Sequence, residues 1–269
     1  MIRFARLYPF LSTVLASLVL LPRGGFAAEP YLVKDINSLA SDSGSNLTNL
    51  CAMGAEVYFT VASATTGTEL WKSDGTETGT VIVKDIYVGS GSSSPSNLMV
   101  VGNTLFFAAD DGTHGAELWK SDGSEEGTVR VKDIQPGSLG SNPTSLTAFD
   151  GLLFFVADDG NTGAELWKSD GTETGTIRVK DVNPGSEGSS SAHLTAVGDT
   201  LFFVADDGTT GAELWKSDGT EVGTVFVRDI RPGSGGSSAG QLTAVDSTLF
   251  FEADDGTSGA ELWKSDGTE

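Results

Sequence analysis

A tryptophan every 48 residues is what most limits how this chain can fold. Trp71, Trp119, Trp167, Trp215 and Trp263 are evenly spaced by 48, and each stands in the string ELWKSDG. Residues 117–164 and 165–212 align without gaps at 33 identical positions of 48. A second marker, VKD or VRD, recurs at Lys34, Lys84, Lys132, Lys180 and Arg228, spaced 50 once and 48 thereafter. The first unit therefore carries a two-residue insertion. Self-similarity at this period is the mark of a repeat architecture, in which each unit buries its apolar face on its neighbours.

One unit reads strand by strand. Residues 193–198 (HLTAVG) form a short strand and 201–205 (LFFVA) the most apolar segment. The connection DDGTTG leads into 212–217 (AELWKS), which alternates, and DGTEVG leads into 224–230 (TVFVRDI), rich in β-branched residues. Glycines in these connections supply positive φ cheaply. A longer loop, RPGSGGSSAGQ, runs to the next unit. No helical period appears after the N-terminal segment.

Four antiparallel strands in 48 residues match a propeller blade. The expected fold is all-β: a β-propeller of about five four-stranded blades. Its units end near 69–76, 117–124, 165–172, 213–220 and 261–268 within a single domain, 29–269. The domain opens on an orphan fourth strand, 31–36, and stops just after a third strand, 261–265. Pairing the two completes the last blade and leaves no open edge. Because Glu269 falls inside a DGTE turn, a truncated chain remains an alternative to a closed ring.

The ELWKSDGT strings, with ELWKSDGS at 117–124 and the accompanying VKDI, PGS and LFFxADDG strings, resemble the ELWxxDGT-repeat proteins, bacterial exported proteins that include some labelled hyalin-like. The resemblance spans residues 31–269 and implies a secreted, propeller-like array; it implies no catalytic residues. The first unit departs from the pattern, with Ala62 and Ser63 in place of the acidic pair and Val88 in place of the loop proline.

Residues 1–28 carry Arg3 and Arg6, an apolar run and small residues at Ala27 and Ala28, the pattern of a cleaved export signal. Secretion or display at the cell surface is the expected address. The whole chain has 37 acidic and 16 basic side chains, a net −21; without residues 1–28 the balance is 37 to 13, a net −24. Such a balance disfavours binding to nucleic acid. No further apolar stretch is present to insert the mature chain into a membrane. Cys51 is the single cysteine, so no internal disulfide forms.

The unrepeated reactive residues are Cys51, Tyr58, Tyr87, His114 and His193. They fall at unlike places in the unit and compose no nucleophile–base–acid set. The repeated acids are the better candidates for a site. Alternating strand direction sets Asp110, Asp111 and Asp133 on one rim of one blade, with Asp158, Asp159 and Asp181, and Asp206, Asp207 and Asp229, on the next two. Glu117, Glu165 and Glu213 start the neighbouring strands. Such oxygens suit calcium, the one cofactor considered. Turn chemistry competes with that reading, since Asp before Gly bonds its own backbone. The five tryptophans are read as core anchors in preference to a sugar-stacking platform.

The expected function is a secreted, non-enzymatic scaffold that presents loops for protein or glycan binding at the cell surface. The alternative is a calcium-associated structural, matrix or adhesion component, and a glycan-active enzyme ranks third.

Overall fold

The computed structural model describes residues 29–36 and 44–268. The expected export segment, 1–28, lies outside them. The chain divides between Leu32 and Val33 into two units. Residues 29–32 carry no regular structure, and the unit from Val33 onward holds the fold.

Its strands form five antiparallel sheets in chain order. The first holds β1 (Thr48–Met53), β2 (Glu56–Ser63), β3 (Gly67–Ser73) and β4 (Val81–Lys84). The second holds β5 (Ser96–Val101), β6 (Thr104–Asp110), β7 (Ala116–Ser121) and β8 (Val129–Arg130). The third holds β9 (Thr144–Phe149), β10 (Leu152–Asp158), β11 (Ala164–Ser169) and β12 (Ile177–Lys180). The fourth holds β13 (Ala192–Val197), β14 (Thr200–Asp206), β15 (Ala212–Ser217) and β16 (Val225–Arg228). The fifth has three strands, β17 (Gly240–Val245), β18 (Thr248–Asp254) and β19 (Ala260–Ser265). Every regular element among the described residues is a strand.

First strands of successive sheets lie side by side: β1 by β5, β5 by β9, β9 by β13 and β13 by β17. They form the inner edge from which the sheets radiate, giving a propeller-like array. Each first strand carries a bulge. At the bulge a non-glycine residue takes positive φ: Asn49, Asn97, Ser145, His193 and Gln241, with φ between 54° and 57°.

The cores lie between sheets. Leu70, Val83 and Ile86 of the first unit pack with Leu105, Phe107, Ala109 and Trp119 of the second. The same set recurs between the second and third, third and fourth, and fourth and fifth sheets. The central phenylalanines, such as Phe107, Phe155 and Phe203, are fully buried, each stabilising by roughly 1.5–3 kcal/mol. Trp119, Trp167 and Trp215 are 6–7% exposed in the same layers. No sheet closes its core alone, which is why the tryptophan recurs in every unit.

Lysines join the sheets a second time. The ammonium of Lys84 donates to the Thr128 carbonyl at 2.9 Å, Lys132 to Thr176 at 2.9 Å and Lys180 to Thr224 at 2.8 Å. Lys34 makes the corresponding bonds to Glu77 (3.3 Å) and Thr80 (2.8 Å) on the first sheet. That placement corrects the expected closure by the N-terminal strand. Residues 31–36 form no strand, and among the described residues β19 pairs with β18 alone. The reason is local: the Lys34 ammonium is held by the Glu77 and Thr80 carbonyls beside the first sheet.

Candidate functional site

The acidic connections fold on themselves. Asp110, Asp158 and Asp206 each accept the N–H of the glycine two residues on, at 2.7, 2.7 and 2.8 Å. Asp111, Asp159 and Asp207 each accept two backbone N–H groups of the following turn within 3.0 Å. These hydrogen bonds hold the second carboxyl of each pair below the usual carboxylate range, against an opposing effect of burial. In the first unit, where Ala62 and Ser63 replace the pair, the Ser63 hydroxyl accepts the N–H groups of Thr65 and Thr66 at 3.2 and 3.3 Å. A hydroxyl thus makes the turn that a carboxylate makes elsewhere.

The topology does bring the turn acids toward the end of the fourth strand. Arg178 on β12 stands 3.7 Å from both Asp159 and Asp181, and Arg130 stands 3.9 Å from Asp133. A guanidinium sits among those carboxylates. Phe226 holds the equivalent place in the fourth unit, beside Trp215, and gives Asp207 and Asp229 no such partner. One oxygen each of Asp133, Asp181 and Asp229 is buried without a hydrogen bond. Among the described residues no group of three or more His, Cys, Asp or Glu side chains is placed to hold a metal ion.

The glutamate of ELWKSDG has a role that the spacing of the acids did not reveal. Glu69, Glu117, Glu165 and Glu213 are fully buried. Glu117 accepts the N–H groups of Ile134 (3.1 Å), Gln135 (3.1 Å) and Ser141 (3.0 Å), and the Ser141 hydroxyl at 2.6 Å. Glu69 likewise takes Ile86 and Ser93, and Glu165 and Glu213 take their own loops. Burial raises each carboxyl pKa, with the hydrogen bonds pulling the other way. These carboxylates cap the loop that follows the fourth strand and are spent on it. The available signal was their invariance at the start of a strand beside a Gly-Ser loop.

Those loops are only half on the surface. Pro136 to Leu139 are exposed, but Gly140 and Ser141 are buried. At Gly140 (φ +70°) an added Cβ would stand 2.3 Å from the Ala116 backbone nitrogen. Gly188 meets Ala164 the same way, at 2.5 Å.

Most symmetry-breaking residues have structural employment. Tyr58 is buried where later units have phenylalanine, and its hydroxyl donates to Glu56 at 2.8 Å. Glu56 in turn pairs with Lys72 at 3.0 Å. The equivalent Lys120 and Lys168 instead reach Gly171 and Gly219 of the next unit, each at 2.8 Å. Tyr87 packs its ring over Gly91 and Gly112, and Cys51 is half-buried beside the first core. His114 stands 2.8 Å from Asp111 in its turn.

His193 is different. It belongs to the bulge row Asn49, Asn97, Ser145, His193 and Gln241 on the inner strands, where the residue type changes from unit to unit. All but Ser145 are exposed. The amides of Asn49 and Asn97 donate to the carbonyls of Pro95 and Pro143 at 3.1 Å. Variation on a fixed scaffold makes this row the best-placed candidate surface for a ligand.

No family model matches the chain, and no curated protein does. Solved structures do match. Puromycin hydrolase aligns with a TM-score of 0.55 at 15% identity, over 85% of this chain and 37% of that one. Prolyl oligopeptidase B from Galerina marginata aligns with a TM-score of 0.56 at 12% identity, over 88% of this chain and 36% of its own. A puromycin-hydrolyzing peptidase of Mycobacterium tuberculosis aligns at 0.52 and 12% identity, over 82% and 37%. The chain spans little more than a third of these proteins, in their propeller part. The structures that this array resembles are propeller-bearing peptidases, which corrects the expectation of a free-standing scaffold or matrix component for protein or glycan display. The burial of Gly140 and Ser141 agrees, since half of each supposed display loop is internal. What the likenesses establish for this chain is its fold.

Proposed function

We propose that this chain is the propeller-like module of a peptidase-type assembly, an array that receives peptide while the bond is cut elsewhere. The carrying observation is the alignment of 82–88% of this chain with only 36–37% of puromycin hydrolase, prolyl oligopeptidase B and the mycobacterial peptidase. The chemistry of the reactive side chains supports a non-catalytic role. His114 is tied to the Asp111 carboxylate, and burial raises the Cys51 thiol pKa away from the reactive thiolate. The bulge row supplies amide, hydroxyl and imidazole groups suited to peptide backbone.

Five blades, membership of the ELWxxDGT-repeat group and export through residues 1–28 belong to the same proposal. A net of −24 after cleavage turns the module away from nucleic acid, and nothing in the mature chain calls for membrane insertion.

Titration of the purified chain with short proline-containing peptides, followed by calorimetry and by mass spectrometry of the peptide, tests the reading. The expected result is binding without cleavage, weakened by His193→Ala. Cleavage that His193→Ala abolishes would place catalysis in this chain. Absence of both binding and cleavage would remove the peptide module.

A further inference from the structure

We propose that Asp150–Gly151 is a site of spontaneous isoaspartate formation, and that the fold closes the same reaction at every other Asp-Gly pair of the chain. There are ten such pairs: five in the ELWKSDG turns, four in the DDG connections, and Asp150–Gly151. In each, the glycine nitrogen is one bond from a ring closure onto the protonated aspartate carboxyl. A C–N bond forms at Cγ, a C–O bond breaks and water leaves, giving a succinimide. Water then opens the ring at either carbonyl. Opening at the backbone carbonyl leaves the main chain running through Cβ and Cγ, with the original mass restored and no oxidant or metal used.

Nine pairs are held at both reacting groups. In the five ELWKSDG turns the glycine N–H donates to the hydroxyl of the preceding serine at 2.9–3.0 Å, as Gly171 does to Ser169. The aspartate accepts the N–H two residues on, at 2.8–2.9 Å. In the four DDG connections the glycine N–H goes to the first aspartate, as Gly160 does to Asp158 at 2.7 Å. The second aspartate accepts two turn N–H groups. An engaged N–H fixes the peptide plane and keeps the nitrogen from turning onto Cγ, and an engaged carboxylate does not swing toward it. Although burial opposes them in several, these bonds hold all nine carboxyls below the usual carboxylate range, which makes the reactive protonated form scarcer.

Asp150–Gly151 is placed otherwise. It is the two-residue turn between β9 and β10, with Phe149 opposite Leu152 and both turn residues at positive φ, 49° and 72°. Both are exposed. Among the described residues neither the Asp150 carboxyl nor the Gly151 N–H has a hydrogen-bond partner. The units differ at this turn: it reads Gly54-Ala55, Gly102-Asn103, Gly198-Asp199 and Asp246-Ser247 elsewhere, so Asp precedes Gly there once. Conversion lengthens the turn by one backbone atom. That disturbs the pairing of Phe149 with Leu152 and the edge-on contact of Phe149 with Phe154, whose ring centroids stand 5.4 Å apart.

The purified chain is held for weeks in warm neutral buffer, digested, and read by electron-based fragmentation, which marks isoaspartate residue by residue. One tryptic peptide, 133–168, carries Asp150–Gly151 together with Asp159–Gly160 as an internal control. Giving up a hydrogen bond to react costs about tenfold in rate, so isoaspartate at 150 is expected to exceed that at any other pair by at least about tenfold. In urea the preference should disappear. Isoaspartate spread evenly over the ten pairs of the folded chain, or absent from 150, would overturn the proposal. A preference for 150 that persists in urea would overturn it too, because sequence alone would then explain it. Asp150→Gly installs the residue that the first, second and fourth units have at this place. The aged natural chain should melt below the fresh one while the aged variant keeps its midpoint; equal losses in both would sink the effect on the hairpin.

Discussion

The carboxylate of Glu117 accepts the backbone N–H of Ile134 at 3.1 Å, tying the start of one strand to the loop that leaves its sheet. With Gln135 and Ser141 it collects three N–H groups and a hydroxyl in a site closed to water. Glu117→Ala strands those donors, and the expected loss is roughly 2–4 kcal/mol. Urea unfolding measures it. A loss below about 0.5 kcal/mol, the scale of a neutral surface change, would show that the loop does not depend on the carboxylate.

Gly140 lies against the Ala116 backbone at positive φ. Gly140→Ala adds a methyl group where backbone atoms already stand, and the expected cost is about 2–3 kcal/mol from clash and strain together. The control is Gly137→Ala, which shares positive φ but has open space around it; it should cost about 1 kcal/mol. Equal losses in the two variants would assign the whole effect to φ and none to the contact.

Acid should first strengthen the fold and then weaken it. Burial raises Glu69, Glu117, Glu165 and Glu213 above the ordinary 4.5. The native state then holds more protons than the unfolded one, so stability declines as pH rises from 4.5 through the folded pKa values. Side-chain and backbone hydrogen bonds hold Asp74, Asp122, Asp170 and Asp218 below the ordinary 3.8. Their contribution is complete above 3.8 and disappears as pH falls through the folded values. Thermal melting across pH should peak near 3.8 to 4.5. A melting temperature that climbs steadily from pH 4.5 to 8 would contradict this.

Calcium should matter little. One carboxylate oxygen each of Asp110, Asp111, Asp158, Asp159, Asp206 and Asp207 accepts turn N–H groups. Melting in calcium and in chelator is expected to give the same midpoint. A rise of several degrees with calcium would restore a metal site, with Asp207 and Asp229 the first place to look.

The strands were legible because their period is local. Residues 201–205 and 212–217 read as strands from alternation and β-branched content, and β14 and β15 stand there. The fourth strand is shorter than expected, ending at Arg228, because Ile230 turns its N–H to Glu213. The rim position of Asp159 and Asp181 was also legible, since strand direction alternates; the arginine between them was not, because the unit does not repeat it: Phe226 stands there in the fourth unit. Nothing in composition separates a solvated glutamate from Glu117, and a bulge such as that at His193 leaves no local mark. The place of Lys34 was misread because its contacts with the Glu77 and Thr80 carbonyls lie more than forty residues away and leave no mark in the repeat pattern.

Cores shared between sheets have a consequence for how the molecule comes apart. Each inner sheet shares a core with the sheet on either side. A core substitution should therefore weaken the two sheets that share it before the rest, as in a chain of nearest-neighbour couplings. Amide exchange of Phe155→Ala would record it as faster exchange in the second and third sheets, with the first nearly unchanged.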